Sequence, residues 1–231
     1  MNVLVVASHP DDEVLGVGGT IHRHVSAGHT VHVLIVSSGA ASRVEVGNLD
    51  VSEEIAKLQH CAREAAQVLG VTSLDFLNFP DNRLDSIDLL DIVKQVEFAV
   101  EKTSARTVYT HWSGDLNIDH RRVNQSVLTA CRPQARSSVE AVYAFETLSS
   151  SEWAFGQTGR DFSPRIFVDI SESIEVKLAA LRCYTSELRE PPHPRSIEAV
   201  NSLARYRGGQ SGFLAAEAFE VIYKRVGIEL T

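Results

Sequence analysis

The 231-residue chain has 22 basic and 30 acidic residues, and its net charge of −8 argues against nonspecific binding to nucleic acid or an anionic membrane. A hydrophobic share of 44% with 23% charged residues is that of a globular protein with a sizeable core, long enough for one large domain. No apolar run approaches the roughly 18 residues of a membrane span.

Strand-like and helix-like runs alternate along the first two thirds. Val3–Ala7 reads as a buried strand, followed by Val14, Val17, Ile21 and Val25 at helical spacing, with Gly28 where a C-terminal cap falls. Val31–Val36 is the next strand. Ile55, Leu58, Ala62, Ala65 and Leu69 then repeat the helical period before Gly70. Strands are predicted at Leu74–Asn78, Thr107–Thr110, Val139–Ala144 and Ile166–Asp169, and helices over Ile87–Thr103 and Ile118–Cys131. Ser149–Pro164, mixed polar and aromatic, reads as a long excursion. Helices around Ile174–Tyr184 and Ser196–Arg207 follow, separated by Glu190-Pro191-Pro192-His193-Pro194. This order predicts an α/β protein with a mostly parallel sheet flanked by helices on both faces.

No basic segment precedes the first strand, so no signal peptide is expected. Cys61, Cys131 and Cys183, widely spaced and without a CxxC pair, are expected to be buried free thiols in a reducing cytoplasm. His22, His24, His29, His32 and His60 lie within helical or strand patterns and read as scaffold. Gly16-Val17-Gly18-Gly19 follows a strand but sits inside the helical pattern, after a turn filled with acids that repel a pyrophosphate. Close helix–sheet packing, rather than dinucleotide binding, is the expectation.

Two constellations carry chemistry. Ser8-His9-Pro10-Asp11-Asp12-Glu13 packs an imidazole and three carboxylates where the first strand gives way to a helix. One Asp explains a helix cap, but two Asp and a Glu exceed what capping requires, and like charges that close need a compensating cation. The second, Thr110-His111-Trp112-Ser113-Gly114-Asp115-Leu116-Asn117-Ile118-Asp119-His120, also runs from a strand into a helix. In a parallel sheet both strand ends lie on one edge, where ligands bind. Two His and one carboxylate with an open position form the donor set of a hydrolytic zinc site.

These motifs resemble the PIG-L/LmbE-like family of metal-dependent deacetylases of N-acetylglucosamine-type groups. The residues that carry the resemblance are Ser8–Glu13, Gly16, Gly18-Gly19-Thr20-Ile21 and the distal Asp119-His120-Arg121-Arg122-Val123. Arg63-Glu64-Ala65-Ala66, Leu69-Gly70-Val71 and Asn78–Leu84 extend it over roughly residues 1–130, and Lys177–Glu187 match more weakly. The resemblance implies a Rossmann-like fold over a single deacetylase domain, 1–231, with 150–231 completing the site. It also implies His9, Asp12 and His120 as ligands of Zn2+ or another divalent metal, and Asp11 as general base. Asp11 then takes a proton from zinc-activated water and delivers it to the departing amine, leaving acetate and a free amino sugar.

One position departs from the family pattern. Where many members carry a histidine thought to stabilise the oxyanion, this chain has Asn117, whose neutral amide donates a hydrogen bond but holds no positive charge. The role stays with Asn117 or moves to His111 or His193. Arg43, Asp81 and Asp119 are the expected substrate contacts. The reading is a cytoplasmic, homo-oligomeric N-deacetylase of a small N-acetylated amino sugar, with no nucleic-acid or membrane partner. Its rivals are an amidase on a non-sugar N-acyl compound and a non-catalytic binding protein that keeps the fold.

Overall fold

The apolar run ahead of the acidic turn forms a central strand of the sheet. In the computed structural model, which describes residues 1–40, 51–134, 137–157 and 159–226, β1 (Asn2–Ala7) leads into α1 (Asp12–Ser26). There follow β2 (Thr30–Ser37), α2 (Ser52–Leu69), β3 (Ser73–Phe79), α3 (Leu89–Thr103), β4 (Thr107–His111), α4 (Ile118–Ala130) and β5 (Ala141–Phe145). The remainder holds β6 (Ile166–Asp169), α5 (Ile174–Arg182), α6 (Ile197–Ser211) and β7 (Ala216–Lys224).

The sheet runs in the order β3-β2-β1-β4-β5-β7-β6. From β3 to β5 every pairing is parallel, whereas β7 lies antiparallel between β5 and β6. The expected α/β class, with a mostly parallel sheet, is what the chain adopts. Strand β7 has no counterpart in the sequence reading.

Alternate residues of each strand point to opposite faces, and each face is covered by helices. Val3 and Val5 pack with Val14, Val17, Ile21, Ala62, Ala65, Leu178 and Leu181, so α1, α2 and α5 cover one side. Leu4 and Val6 pack with Ile92, Val96, Val123 and Val127, so α3 and α4 cover the other. After β1 the chain moves outward through β2 and β3, then crosses back to place β4 on the opposite flank of β1. The ends of β1 and β4 therefore diverge at the topological switch point, where an open α/β sheet has its crevice.

The glycines of α1 serve close packing, as expected. A Cβ at Gly16 would sit 2.2 Å from the buried Phe145 ring, and one at Gly19 2.8 Å from Ile170. Gly16→Ala is expected to cost about 1–3 kcal/mol through overpacking, despite the gain of ~1 kcal/mol in helix propensity. Urea unfolding monitored by circular dichroism measures this directly.

A buried ion pair stitches the second half of the chain to α1. Lys177 Nζ donates to the Leu15 carbonyl at 2.8 Å and to Glu217 at 2.6 Å. Glu217 in turn accepts from the backbone N–H of Gly19 (2.9 Å) and Thr20 (2.7 Å). Both side chains are almost wholly buried, so each charge depends on the other.

The histidines read as scaffold make local contacts. His24 Nε2 meets the Tyr109 hydroxyl at 3.0 Å, and the His22 and His32 rings meet Ser173 and Ser73. All three cysteines are free. Cys61 and Cys131 are buried as expected, but Cys183 is only half-buried, at the end of the short α5.

Candidate active site

Both motifs lie at the switch point, one after β1 and the other after β4. Asp11 occupies the N-cap position of α1 with φ +107°, a left-handed conformation that a non-glycine residue rarely adopts. Its side chain makes no capping hydrogen bond and so does not act as a cap. Instead the Asp11 backbone N–H donates to Glu13 Oε2 at 3.1 Å, and Tyr184 donates its hydroxyl to the other Glu13 oxygen. Strain at such a residue persists only where neighbouring contacts hold it.

His9, Asp12 and His120 converge. One donor atom from each lies within 4.8 Å of the others, which suits a single cation. The Asp12 Oδ2 atom is 3.1 Å from His9 Nδ1 and 3.3 Å from His120 Nε2. Its other oxygen, Oδ1, is buried with no hydrogen-bond partner among the described residues. A buried carboxylate oxygen left unpaired is costly, and a metal ion satisfies it. The donor set of two imidazoles and one carboxylate fits such an ion.

Outer contacts orient each candidate ligand. His9 Nε2 faces Asp119 at 3.1 Å and Asp81 at 3.2 Å, which leaves Nδ1 turned toward Asp12. Asp119 is itself gripped by the backbone N–H of Asn82 (2.7 Å) and Leu84 (2.9 Å). His120 Nδ1 lies 3.1 Å from Asp115, whose carboxylate accepts from Ser150, Ser151 and the Asn117 backbone N–H. Carboxylate–histidine pairs of this kind raise ligand basicity and fix ring orientation. Asp115→Asn is therefore expected to weaken metal binding about 10–100-fold, read by titrating the metal-free protein with zinc.

The electrostatics separate the neighbouring carboxylates. Burial opposes charge on Asp12, but the adjacent His120 and His111 hold its pKa well below the ordinary range. Asp11 goes the other way. Burial raises it well above the ordinary carboxylate value, Arg195 works against that rise, and Asp12 and Glu187 add to it. Glu13 is pushed up to about 7 by burial, against the bond from Tyr184. For Asp115 burial is outweighed by His120 and the two serines, which bring it down to about 2. Carboxylates with pKa values pushed apart are what distinct acid–base and ligand roles require.

A cavity of about 130 Å³ opens over this group, with His9, Asp11, Asp81, Asn117, Glu187 and Arg195 in its wall. Asn117 caps α4 by accepting the Asp119 N–H at 2.8 Å, and its amide N donates to Asn82 at 3.2 Å. His111 is not in the wall. It is fully buried, stacked on His120 with ring centroids 3.9 Å apart, and its Nε2 accepts the Ser8 N–H at 2.9 Å. His193 is not in the wall either, being turned toward Trp153 while its Nδ1 accepts the Arg195 N–H. Asp119 is fully buried and braces His9 rather than facing the cavity. Arg43 lies outside the described residues.

Two wall residues, Arg195 and Glu187, escaped the sequence reading. Arg195 Nη1 lies 3.2 Å from both Asp11 Oδ2 and Glu187 Oε2. Glu187 ends the Lys177–Glu187 stretch that resembles the family weakly, and Arg195 directly follows the proline-rich loop that carries His193.

Residues 4–131, more than half the chain, match the family described as "PIG-L: GlcNAc-PI de-N-acetylase". The chain belongs to the PIG-L family. Among its relatives is the diacetylchitobiose deacetylase of Thermococcus kodakarensis, 26% identical over 95% of this chain and 82% of that protein. An uncharacterized deacetylase of Escherichia coli K12 is 28% identical over 80% of this chain and 90% of its own length. The PIG-L fold extends to GalB, the 4-carboxy-2-hydroxymuconate hydratase of Pseudomonas putida KT2440, which superposes with a TM-score of 0.78. That likeness covers 100% of this chain and 99% of GalB at 22% identity, so it speaks to the fold alone. This PIG-L chain is a hydrolase of the N-acetyl amide bond.

Proposed function

We propose that this protein is a zinc-dependent N-deacetylase of an N-acetylglucosamine-type amino sugar or its conjugate, with Asp11 as general base. One observation carries the reading: His9, Asp12 and His120 converge around an unpaired, buried carboxylate oxygen, with the raised carboxyl of Asp11 beside them in the cavity wall. A zinc ion held by those three residues would activate water and polarise the acetamide carbonyl. Asp11 takes the proton of the attacking water and later gives it to the leaving amine nitrogen. Asp81 and Asn117, both polar and in the wall, meet sugar hydroxyls, whereas Asp119, buried behind His9, positions that ligand rather than touching substrate.

The proposal takes 1–231 as one deacetylase domain, supported by Glu187 and Arg195 reaching the cavity from beyond residue 150. It also takes the enzyme to be a cytoplasmic homo-oligomer, which size-exclusion chromatography and cell fractionation test. Acetate release is measured on the zinc-loaded protein with N-acetylglucosamine, N,N′-diacetylchitobiose and an N-acetyl amino acid. Turnover of a sugar and not of the amino acid is the expected result. Turnover of the amino acid alone would make the protein an amidase of another class, and no turnover in any arm would leave only a binding role.

A further inference from the structure

We propose that Arg195 is the catalytic cation that receives the negative charge developing on the acetamide oxygen. This rests on the deacetylase reading above and names a charged residue for a role in which Asn117 offers only a neutral amide. Arg195 is the permanently charged cation in the cavity wall among the described residues, and the one imidazole there, His9, is committed to Asp12, Asp81 and Asp119. The Asn117 amide accepts the Asp119 N–H and donates one of its two N–H groups to Asn82, and it carries no charge. His111 and His193 lie outside the wall.

The loop delivers Arg195 in a fixed pose. Its backbone N–H donates to His193 Nδ1 at 3.0 Å, and the next residue, Ser196, caps α6 through the Ala199 N–H at 3.1 Å. Its Nε donates to Ser149 Oγ at 2.7 Å, bracing the guanidinium against the excursion that follows β5. The Glu187 contact of 3.2 Å keeps one Nη from swinging outward.

Charge bookkeeping at the reaction centre gives this placement its meaning. In the first step the O–H bond of water breaks and its proton goes to Asp11, while the water oxygen bonds to the carbonyl carbon. The C=O π pair moves onto the acetamide oxygen. One negative charge thus leaves Asp11 and appears on that oxygen, within the same small cavity. Arg195 cannot lose its proton and keeps its charge throughout. Paired with Asp11 beforehand, it loses that partner as the oxyanion forms, so its attraction to the oxyanion is strongest when the barrier is reached. A preorganised donor that strengthens in this way lowers the barrier.

The test uses the zinc-loaded protein with N,N′-diacetylchitobiose, comparing wild type, Arg195→Ala and Arg195→Lys. Arg195→Ala is expected to lower kcat about 10²–10³-fold, the usual worth of an oxyanion donor, with KM and zinc content little changed. Arg195→Lys, which keeps the charge, is expected to recover at least about tenfold of that loss, and added guanidinium ion to rescue Arg195→Ala in part. A kcat within about threefold of wild type in Arg195→Ala, or a change in KM alone, overturns the proposal. So does a loss of zinc or of fold that accompanies the loss of activity in both variants, which marks Arg195 as a brace. Wild type releasing no acetate from any N-acetyl sugar overturns the deacetylase reading itself, and this proposal with it.

Discussion

Asp11→Asn is expected to retain zinc and fold while losing about 10²–10⁴ in turnover, the span attributed to a positioned acid–base group. The substitution is nearly isosteric and the amide accepts no proton from water. The left-handed backbone at position 11 tolerates Asn as well as Asp, so the local geometry should survive. Arg195 faces an uncharged amide in the variant but keeps Glu187. Steady-state turnover at matched zinc content decides the matter, and an Asn variant retaining more than about a third of wild-type kcat excludes Asp11 as the base.

His120→Ala is expected to lose most of its zinc, and with it nearly all activity, while the fold persists. The imidazole sits between Asp12 and Asp115, and its removal takes away one of three donors. Persistence of the fold follows from the bonds the two carboxylates keep. Asp12 still accepts the His9 backbone N–H at 2.8 Å, and Asp115 still accepts from Ser150, Ser151 and the Asn117 N–H. His9→Ala should behave alike. Elemental analysis after dialysis gives the result, and full zinc occupancy in both variants would refute the ligand assignment.

The parts of this molecule that obey a local period are readable from its sequence. Buried parallel strands are near-continuous apolar runs, and β1 and β2 announce themselves in that way. The two motifs could be placed on one edge because parallel strands end on the same side. Strand β7 was hidden by its own chemistry. Glu217 and Glu220 are buried within it, breaking the apolar run, and their burial makes sense only with Lys177 and the α1 backbone in place for Glu217, and Arg160 and the Ser163 N–H for Glu220. Arg195 and Glu187 were hidden for a related reason. An exposed-looking loop charge acquires its role only when the fold brings it 3.2 Å from Asp11, 184 positions away. His111 misled in the opposite sense, since a histidine at a strand end looks available until its ring is found stacked behind His120.

The Lys177–Glu217 pair has a consequence for how the native state opens. Two amides in the middle of α1, Gly19 and Thr20, bond to a carboxylate on β7, and the Leu15 carbonyl is held by a lysine from α5. The acidic turn at the head of α1 and the last strand of the sheet are thereby joined into one cooperative unit. In native-state hydrogen exchange the Gly19 and Thr20 amides should open together with β7, not with the exposed end of α1 at Ser26, because partners that bond each other become accessible only together. Heating or denaturant that frees the last strand is then expected to loosen the acidic turn in the same event.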